Sequence, residues 1–296
     1  MMTTNGARLG AAALGAAVLL LASALAAGGS ARAAEGEHVH IDRQKWSFSG
    51  FLGKFDEAQL QRGFRVYVDA CARCHSLKRI AFRNLAQPGG PSFPEGAIKS
   101  LANTYQVDAE PNDQGKIVKR PAILVDHLPS PYKNEQEARS ALNGALPPDL
   151  SLIAKARGIE TNAPFYLVPV NMLKDIATGY QEAGPDYIYA YLTGYPKELP
   201  QGVKVPDGMN YNRAFASPHM TAMPNPFAGG DGLVKYDDAT PATVDNYARD
   251  VTAFLAWTAD PRTEERKRLG LMVTIYLLIT AVLLYFAKRR IWAKAH

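Results

Sequence analysis

The stretch "ACARCHSLKR", residues 70–79, contains both cysteines of the 296-residue chain. Cys71 and Cys74 are separated by two residues, and His75 follows directly. A cysteine pair at this spacing can form a disulfide, act as a redox thiol pair, supply half of a zinc site or attach a haem. The residues around the pair favour one of these four uses.

The histidine after the second cysteine favours haem attachment. In the pattern C-x-x-C-H the two thiols bond to the vinyl groups of haem, and the histidine supplies a nitrogen to the iron. A disulfide does not need the histidine, a thioredoxin-like pair needs a βαβ context that is missing here, and a zinc site needs further clustered ligands. We therefore predict one covalently bound haem c, with His75 as an axial ligand of the iron.

The second axial ligand determines the chemistry. A methionine is typical of an electron carrier, whereas an open position suits gas binding or peroxide chemistry. Met223 lies in "TAMPNPF", where two prolines favour an extended loop that can hold a thioether in place. Spacing does not exclude the other candidates, and these are Met172, Met209, Met220, His127 and His219.

The segments beside the motif read mainly as helices and long loops. Asp56 with Gln59 forms a capping-box pattern, and the apolar spacing after it predicts a helix over 57–70 that ends at the cysteine pair. A second helix is predicted over 135–142, closed by Asn143-Gly144. The intervening segment, 86–134, is rich in Pro, Gly and Asn and is predicted to be irregular.

Further helices are predicted towards the C-terminus. Pro147-Pro148 predicts an extended loop, with Asp149 or Ser151 capping a short helix after it. A helix is predicted over 185–195, and Thr240-Pro241 predicts the start of the clearest one. Its apolar stripe consists of Val244, Tyr247, Ala248, Val251, Phe254 and Leu255. Because no long alternating pattern indicates a strand, the predicted fold is mainly α.

The N-terminal end has the composition of a targeting segment. Residues 1–34 contain no acidic side chain, and an apolar run follows Arg8. The triplet Ala31-Arg32-Ala33 fits an A-x-A cleavage site. We predict a secretory signal peptide over 1–34 and an exported head domain over 35–268.

The C-terminal end contains an apolar run of membrane length. Residues 269–287 carry no charge, and a helix of this length spans about 28 Å, close to the hydrocarbon thickness of a bilayer. Four basic residues follow it, which agrees with a cytoplasmic tail over 288–296. We predict a single-pass anchor over 269–287.

The net charge does not indicate nucleic acid binding. The formal charge is +5, but two basic residues lie in 1–34 and four lie after residue 287, which leaves 35–268 at −1. Residues 231–250 are locally acidic and could form a face that steers a basic protein partner. The acidic side chains of this segment are Asp231, Asp237, Asp238, Asp245 and Asp250.

Four long segments are distinctive, and they are "RGFRVYVDACARCHSLKRIAFRNL", "RPAILVDHLPSPYKNEQEARSALNGALPPDLSLIAKARG", "GPDYIYAYLTGY" and "PATVDNYARDVTAFLAWTADPRTEERKRLG". Together they resemble cytochrome c1, the haem subunit of the quinol:cytochrome c reductase (bc1) complex, in its alpha-proteobacterial form. The resemblance implies a class I-like cytochrome c fold with long loops and insertions. It also implies His75 and Met223 as the two axial ligands.

The same resemblance implies which residues line the haem. Arg157 would pair a haem propionate, and Tyr187 would cover the ring. The implied lining residues, besides Cys71 and Cys74, are Asn143, Gly144, Pro148, Arg157 and Tyr187.

The implied function is electron transfer in a respiratory or photosynthetic chain. Single electrons would pass from a Rieske iron–sulfur protein through this haem to a soluble or tethered cytochrome c. The chain would work beside cytochrome b in a dimeric complex in the cell inner membrane, with its haem domain on the periplasmic side. It would be a redox subunit that is not catalytic alone. Alternatives are an orphan membrane-tethered shuttle, a haem peroxidase and a gas-binding protein.

Three features depart from the family pattern. The segment "FASPHMTAMPNPF" differs before the methionine, and residues 160–183 look like an insertion without a derivable role. Some bacterial relatives have an additional disulfide in this region, and this chain has no cysteines left to form one.

Overall fold

The computed structural model describes residues 39–159 and 164–293, so the predicted signal peptide and residues 294–296 lie outside the described residues. The described α-helices are α1 Glu57–Val66, α2 Glu95–Asn103, α3 Glu135–Ala141, α4 Ile153–Ala156, α5 Val168–Thr178, α6 Ala183–Thr193, α7 Val244–Ala259 and α8 Thr263–Trp292. Two short antiparallel pairs join β1 Gln106–Asp108 to β2 Lys119–Pro121, and β3 Asn210–Tyr211 to β4 Met220–Thr221. The prediction of a mainly α fold is confirmed.

Helix α1 leads directly into the cysteine motif. Asp56 caps it by accepting a hydrogen bond from the Gln59 backbone at 2.8 Å. The capping-box pattern would turn the Gln59 side chain back onto the start of α1. Instead this side chain donates to Asp250 of α7 at 3.2 Å, so it links the two helices. The helix predicted over 57–70 divides in two, because a π-helix over Tyr67–Cys71 follows α1.

Helix α7 is the central helix of the core. It packs against α1, α4 and α6. The predicted stripe faces inward: Val244 is half-buried and its other five members are buried. The predicted start is wrong by three residues, because Thr243 and not Thr240 caps the helix, accepting from the Asn246 backbone at 3.3 Å.

Helices α1 and α7 cross at very short range. At Gly63 the position that a Cβ atom would take lies 2.1 Å from the Asp250 carbonyl oxygen. A residue with a side chain does not fit there, so glycine permits this close backbone approach. Arg62 strengthens the same crossing, since its guanidinium bonds the buried Asp250 carboxylate at 2.8 Å.

Most of the acidic segment is engaged within the chain. Asp238 and Asp250 both bond Arg62, and Asp245 bonds Arg249. Asp231 accepts from the Val244 backbone at 2.8 Å. These four carboxylates therefore have partners within the chain, although Asp231, Asp238 and Asp245 are exposed. Their part in steering a protein partner stays a prediction.

The segment before α1, residues 39–55 and called the arm below, packs onto the core. Trp46 and Phe48 are buried, and their rings stack with centroids 5.5 Å apart. The fully buried carboxylate of Asp186 accepts hydrogen bonds from the indole of Trp46 and the phenol of Tyr180, each at 2.7 Å. One side chain of α6 thus joins the arm to the segment that follows α5.

Helix α8 includes the predicted anchor. Of the helices in the described residues, it is the one long and apolar enough to cross a membrane, and its most apolar part is entirely unburied. Its first two turns contact the arm, because Lys267 donates to the Phe48 carbonyl and Glu264 accepts from the Phe55 backbone at 2.9 Å.

Candidate functional site

The cysteine motif forms a tight turn after the π-helix. The backbone amide of Ala72 donates to the Tyr67 carbonyl at 2.8 Å, which closes the π-helical turn. The amides of Cys74 and His75 then both donate to the Cys71 carbonyl, at 3.0 and 2.9 Å. The turn therefore presents two unlinked thiols and the imidazole within five residues of chain.

The His75 ring has one nitrogen engaged and one available. Its Nδ1 lies 2.9 Å from the Pro148 carbonyl oxygen. A carbonyl oxygen only accepts hydrogen bonds, so Nδ1 carries the proton and Nε2 keeps its lone pair. Burial lowers the pKa of His75, which favours the neutral ring that binds a metal.

Asp149 connects the motif to the loop that contains Pro148. Its carboxylate accepts from the Ser76 hydroxyl at 2.7 Å and from the Lys78 amide at 2.8 Å. Its other oxygen accepts from the Ser151 amide at 3.0 Å. The predicted capping role is wrong, because α4 begins two residues after Ser151 with no side-chain cap. Burial opposes ionisation, but these hydrogen bonds outweigh it and lower the pKa of Asp149.

The surroundings of the thiols argue against a reactive thiol pair. Burial raises the pKa of Cys71 to about 12, so the free thiol stays protonated at neutral pH. Redox thiols instead have a lowered pKa and a partly exposed sulfur. Among residues 39–159 and 164–293, no group of three or more His, Cys, Asp or Glu side chains could hold a metal ion. The motif therefore has no second half of a zinc site in that part of the chain.

Asn143 and Gly144 close α3 as predicted. Both have positive φ, 52° and 88°, and the Gly144 amide donates to the Arg139 carbonyl at 2.7 Å. Positive φ is easily adopted by glycine and tolerated by asparagine, which explains these residue types at this turn. Both residues are exposed, and their contact with haem stays a prediction.

The backbone of Met223 is fixed on both sides. Its amide donates to the Thr221 hydroxyl at 3.2 Å, and its carbonyl accepts from the Tyr195 phenol at 3.0 Å. The Thr221 hydroxyl is also 2.7 Å from the Tyr191 phenol. The Met223 side chain is half-buried and packs against the core that includes Cys71.

Exposure separates the other candidate ligands. Met220 lies half-buried in β4, and His219, at φ 66°, has its Nδ1 2.7 Å from the Phe215 carbonyl oxygen. The exposed candidates are Met172, Met209 and His127.

Tyrosines of α6 and the turn after it lead towards Met223. The ring centroids of Tyr187 and Tyr191 are 6.1 Å apart, and those of Tyr191 and Tyr195 are 5.9 Å apart. Sequence reasoning identified Tyr187 but missed Tyr191 and Tyr195. Their i, i+4, i+8 spacing in "YIYAYLTGY" was the available signal. Arg157, in contrast, is exposed at the end of α4, and its pairing with a propionate stays a prediction.

The donor set fits a haem of the c type. It provides two free thiols, a buried neutral imidazole with Nε2 available, and a thioether on a fixed loop. The described contacts join Cys71, His75 and Pro148 in one half of the site, and Tyr191, Tyr195 and Met223 in the other. Arg157 is not among the residues that these contacts connect.

Comparison with known proteins agrees with this chemistry. The family model described as the Cytochrome C1 family matches residues 46–295. A cytochrome b/c1 of Bradyrhizobium diazoefficiens is 47% identical over 290 residues, and the match covers 95% of this chain and 41% of that protein. This chain therefore spans less than half of that relative's length.

Two shorter relatives match over most of their own length. A cytochrome c1 of Blastochloris viridis is 43% identical, with 88% of this chain and 89% of that protein covered. The mitochondrial cytochrome c1 heme protein of Saccharomyces cerevisiae is 42% identical, with 87% and 74% covered. Since the family model runs from the arm through α8, we conclude that this chain belongs to the cytochrome c1 family.

Proposed function

We propose that this chain carries one covalent haem c, attached through Cys71 and Cys74, with His75 and Met223 as axial ligands. The observation that carries the proposal is the contact between His75 Nδ1 and the Pro148 carbonyl, which leaves Nε2 for the iron. The word "heme" in the name of the yeast relative supports the cofactor. Asn143, Gly144, Pro148, Arg157 and Tyr187 would line the ring.

The proposed activity is one-electron transfer within a ubiquinol:cytochrome c reductase of a respiratory or photosynthetic chain. Electrons would arrive from a Rieske iron–sulfur protein and leave to a soluble or tethered cytochrome c. The haem iron would supply the one-electron change. The residues of this chain would hold its coordination constant and exclude water from it, and they would break no substrate bond. Family membership and the b/c1 name of the Bradyrhizobium relative support this assignment.

The proposed setting is a membrane-anchored subunit beside cytochrome b in a dimeric complex. The head, 35–268, would be exported by the signal peptide and lie on the periplasmic side of the inner membrane. The unburied apolar part of α8 supports the anchor over 269–287. The tail, 288–296, would lie in the cytoplasm.

The axial ligand can be tested with two matched variants, Met223→Leu and Met220→Leu. In Met223→Leu we expect a haem that binds carbon monoxide readily and has a changed midpoint potential, because the iron loses its sixth ligand. Met220→Leu is the control and should keep the native reduced-minus-oxidised spectrum. The reverse pattern would assign the ligand to Met220. Ready binding of carbon monoxide by the unsubstituted protein would favour a gas-binding protein or a peroxidase.

The complex can be tested by mild detergent extraction of membranes. We expect b-type haem and an iron–sulfur protein to co-purify with the haem-stained chain. Purification as a lone haem protein would instead support an orphan shuttle.

A further inference from the structure

Helix α5 has no buried side along its length. None of its eleven residues is buried, although most of its large side chains are apolar. Monomeric soluble proteins rarely expose a contiguous apolar patch of this kind without a partner. The α5 surface is formed by Phe165, Tyr166, Val170, Met172, Leu173 and Ile176.

The end of α5 is fixed against the arm. Gly179 closes the helix at φ 65°, and a Cβ atom there would lie 3.2 Å from the Phe51 ring. Arg43 bonds Asp175 at 2.9 Å and places its guanidinium 3.7 Å from the Tyr180 ring centroid. Phe51 and its neighbour Leu52 are themselves exposed, so the arm extends the α5 surface.

The arm in turn lies beside the start of the anchor helix. The Phe48 carbonyl and the Phe55 amide are bonded to Lys267 and Glu264, so the turn that contains Phe51 is bracketed by contacts with α8. Leu269, the first residue of the uncharged run, is five residues beyond Glu264, or about 7.5 Å along the helix axis. A headgroup layer is about 5–8 Å thick, which puts this turn at headgroup depth.

The composition of the α5 surface suits lipid. Its helix has one basic and one acidic side chain, and the acidic one, Asp175, is already paired with Arg43. The basic one, Lys174, is exposed, so the α5 surface carries little charge. Tyr166, just before α5, is one of the two aromatic types that are enriched at membrane–water interfaces. Phe165 beside it is a type found on the apolar face of interfacial helices.

Of the basic side chains at the start of α8, Arg262 pairs with Glu265 and Arg266 pairs with Asp260. Arg268 is exposed and lies where it can meet a lipid headgroup.

We propose that the α5 surface lies on the lipid bilayer, with its apolar side chains at the boundary between headgroups and acyl chains. This inference rests on the proposed anchoring by α8. The head is then attached to the membrane at two places, through α8 and through α5.

Site-directed spin labelling can test the proposal on the full-length holoprotein in phosphatidylcholine vesicles. A nitroxide is placed at one position at a time in Leu173→Cys, Leu278→Cys and Leu233→Cys. Position 278 reports the anchor, and position 233 lies near the N-terminal end of α7, because the Gly232 amide donates to the Ala242 carbonyl. That end is about 24 Å along the axis of α7 from the end that precedes α8. The haem spectrum of each variant checks the fold.

Power saturation then compares accessibility to oxygen and to a water-soluble nickel chelate. We expect position 173 to favour oxygen over nickel, in the same sense as position 278, and position 233 to favour nickel. If 278 favours oxygen while 173 behaves like 233, the inference fails and the anchor stands. Shielding of 173 from both reagents means a protein partner and also overturns it. If 278 favours nickel, the anchoring fails, and the inference fails with it.

Discussion

The phenol of Tyr195 donates a hydrogen bond to the backbone carbonyl of Met223 at 3.0 Å. Burial raises the pKa of Tyr195, so the phenol stays protonated and remains a donor. With the Thr221 hydroxyl on the amide side, this bond restrains residue 223 in both backbone directions. A thioether is a weak ligand, so the position of its backbone governs how well it competes with other ligands.

Tyr195→Phe should therefore weaken the proposed methionine ligation without unfolding the protein. Loss of one hydrogen bond costs about 1 kcal/mol in the free energy of unfolding. We expect faster binding of carbon monoxide to the reduced haem and a changed midpoint potential. The matched control is Tyr189→Phe. Tyr189 lies in α6, six residues before Tyr195, and its phenol donates to Asp245 of α7 and not to the Met223 loop. If both variants keep the native spectrum and potential, Tyr195 has no positioning role.

Asp149→Ala should destabilise the fold more than removal of an exposed carboxylate. Three hydrogen bonds to a charged group are lost, and the free energy of unfolding should fall by about 2–3 kcal/mol. Asp42→Ala is the control, because Asp42 is exposed and its change should stay within about 0.5 kcal/mol. Denaturant unfolding of the two holoproteins compares them. Equal denaturant midpoints for the two variants would show that Asp149 does not hold the cysteine motif to the loop that contains Pro148.

Two glycine substitutions should have opposite effects. Gly63→Ala forces a Cβ atom to 2.1 Å from the Asp250 carbonyl, and we expect a loss of at least about 3 kcal/mol or no folded protein. Gly96→Ala lies in α2, where a Cβ atom meets nothing within 4 Å. It should stabilise the protein by about 0.5–1 kcal/mol through helix propensity. Thermal unfolding measures both, and a neutral Gly63→Ala would contradict the close crossing.

Acidification should weaken the junction between α7 and α8 at Asp260. Burial opposes ionisation there, but bonds from Lys155 and Arg266 outweigh it and lower the pKa of Asp260 from its ordinary value. A carboxyl with a lower pKa in the folded state contributes stability above the unfolded value, and this stability is lost as the pH falls through the folded value.

The matched variant for this effect is Asp260→Asn. It should be less stable than the unsubstituted protein at pH 7, and the difference should shrink below about pH 4. Urea unfolding between pH 3 and pH 7 measures the difference. A constant difference across that range would mean that the carboxylate charge contributes nothing.

The local signals of the sequence predicted α1, α3, α6 and α7, but they missed α2 and α5. Helix α2 lies in the segment 86–134 that was predicted to be irregular, so that prediction is wrong there, and α5 lies in the insertion 160–183. The stripe of α7 and the Asn143-Gly144 closure are patterns of neighbouring residues, and the structure has both. The capping threonine was misplaced by three residues because the Ala242 carbonyl accepts from the Gly232 amide and from the Tyr247 phenol. These tertiary bonds hold the chain out of helical geometry after Thr240.

The site depended on contacts that no local pattern encodes. Asp149 bonds Ser76 across 73 residues of chain, and Tyr195 bonds Met223 across 28. From the sequence alone Asp149 was interpreted as a helix cap, because capping is the common local use of that residue type. The strands were missed because two or three residues are too few to show alternation.

The crossing at Gly63 has a consequence for how electrons must travel. Helix α1 leads through the π-helix into the cysteine motif, and α7 is followed by a short turn at Asp260 and then by α8. No side chain lies between the backbones of α1 and α7 at Gly63. The cysteine motif is thereby connected to the start of α8 through one tightly packed pair of helices. Under the proposed function, this packing would keep the haem at a constant height above the bilayer, and the travel between donor and acceptor would fall to the partner proteins.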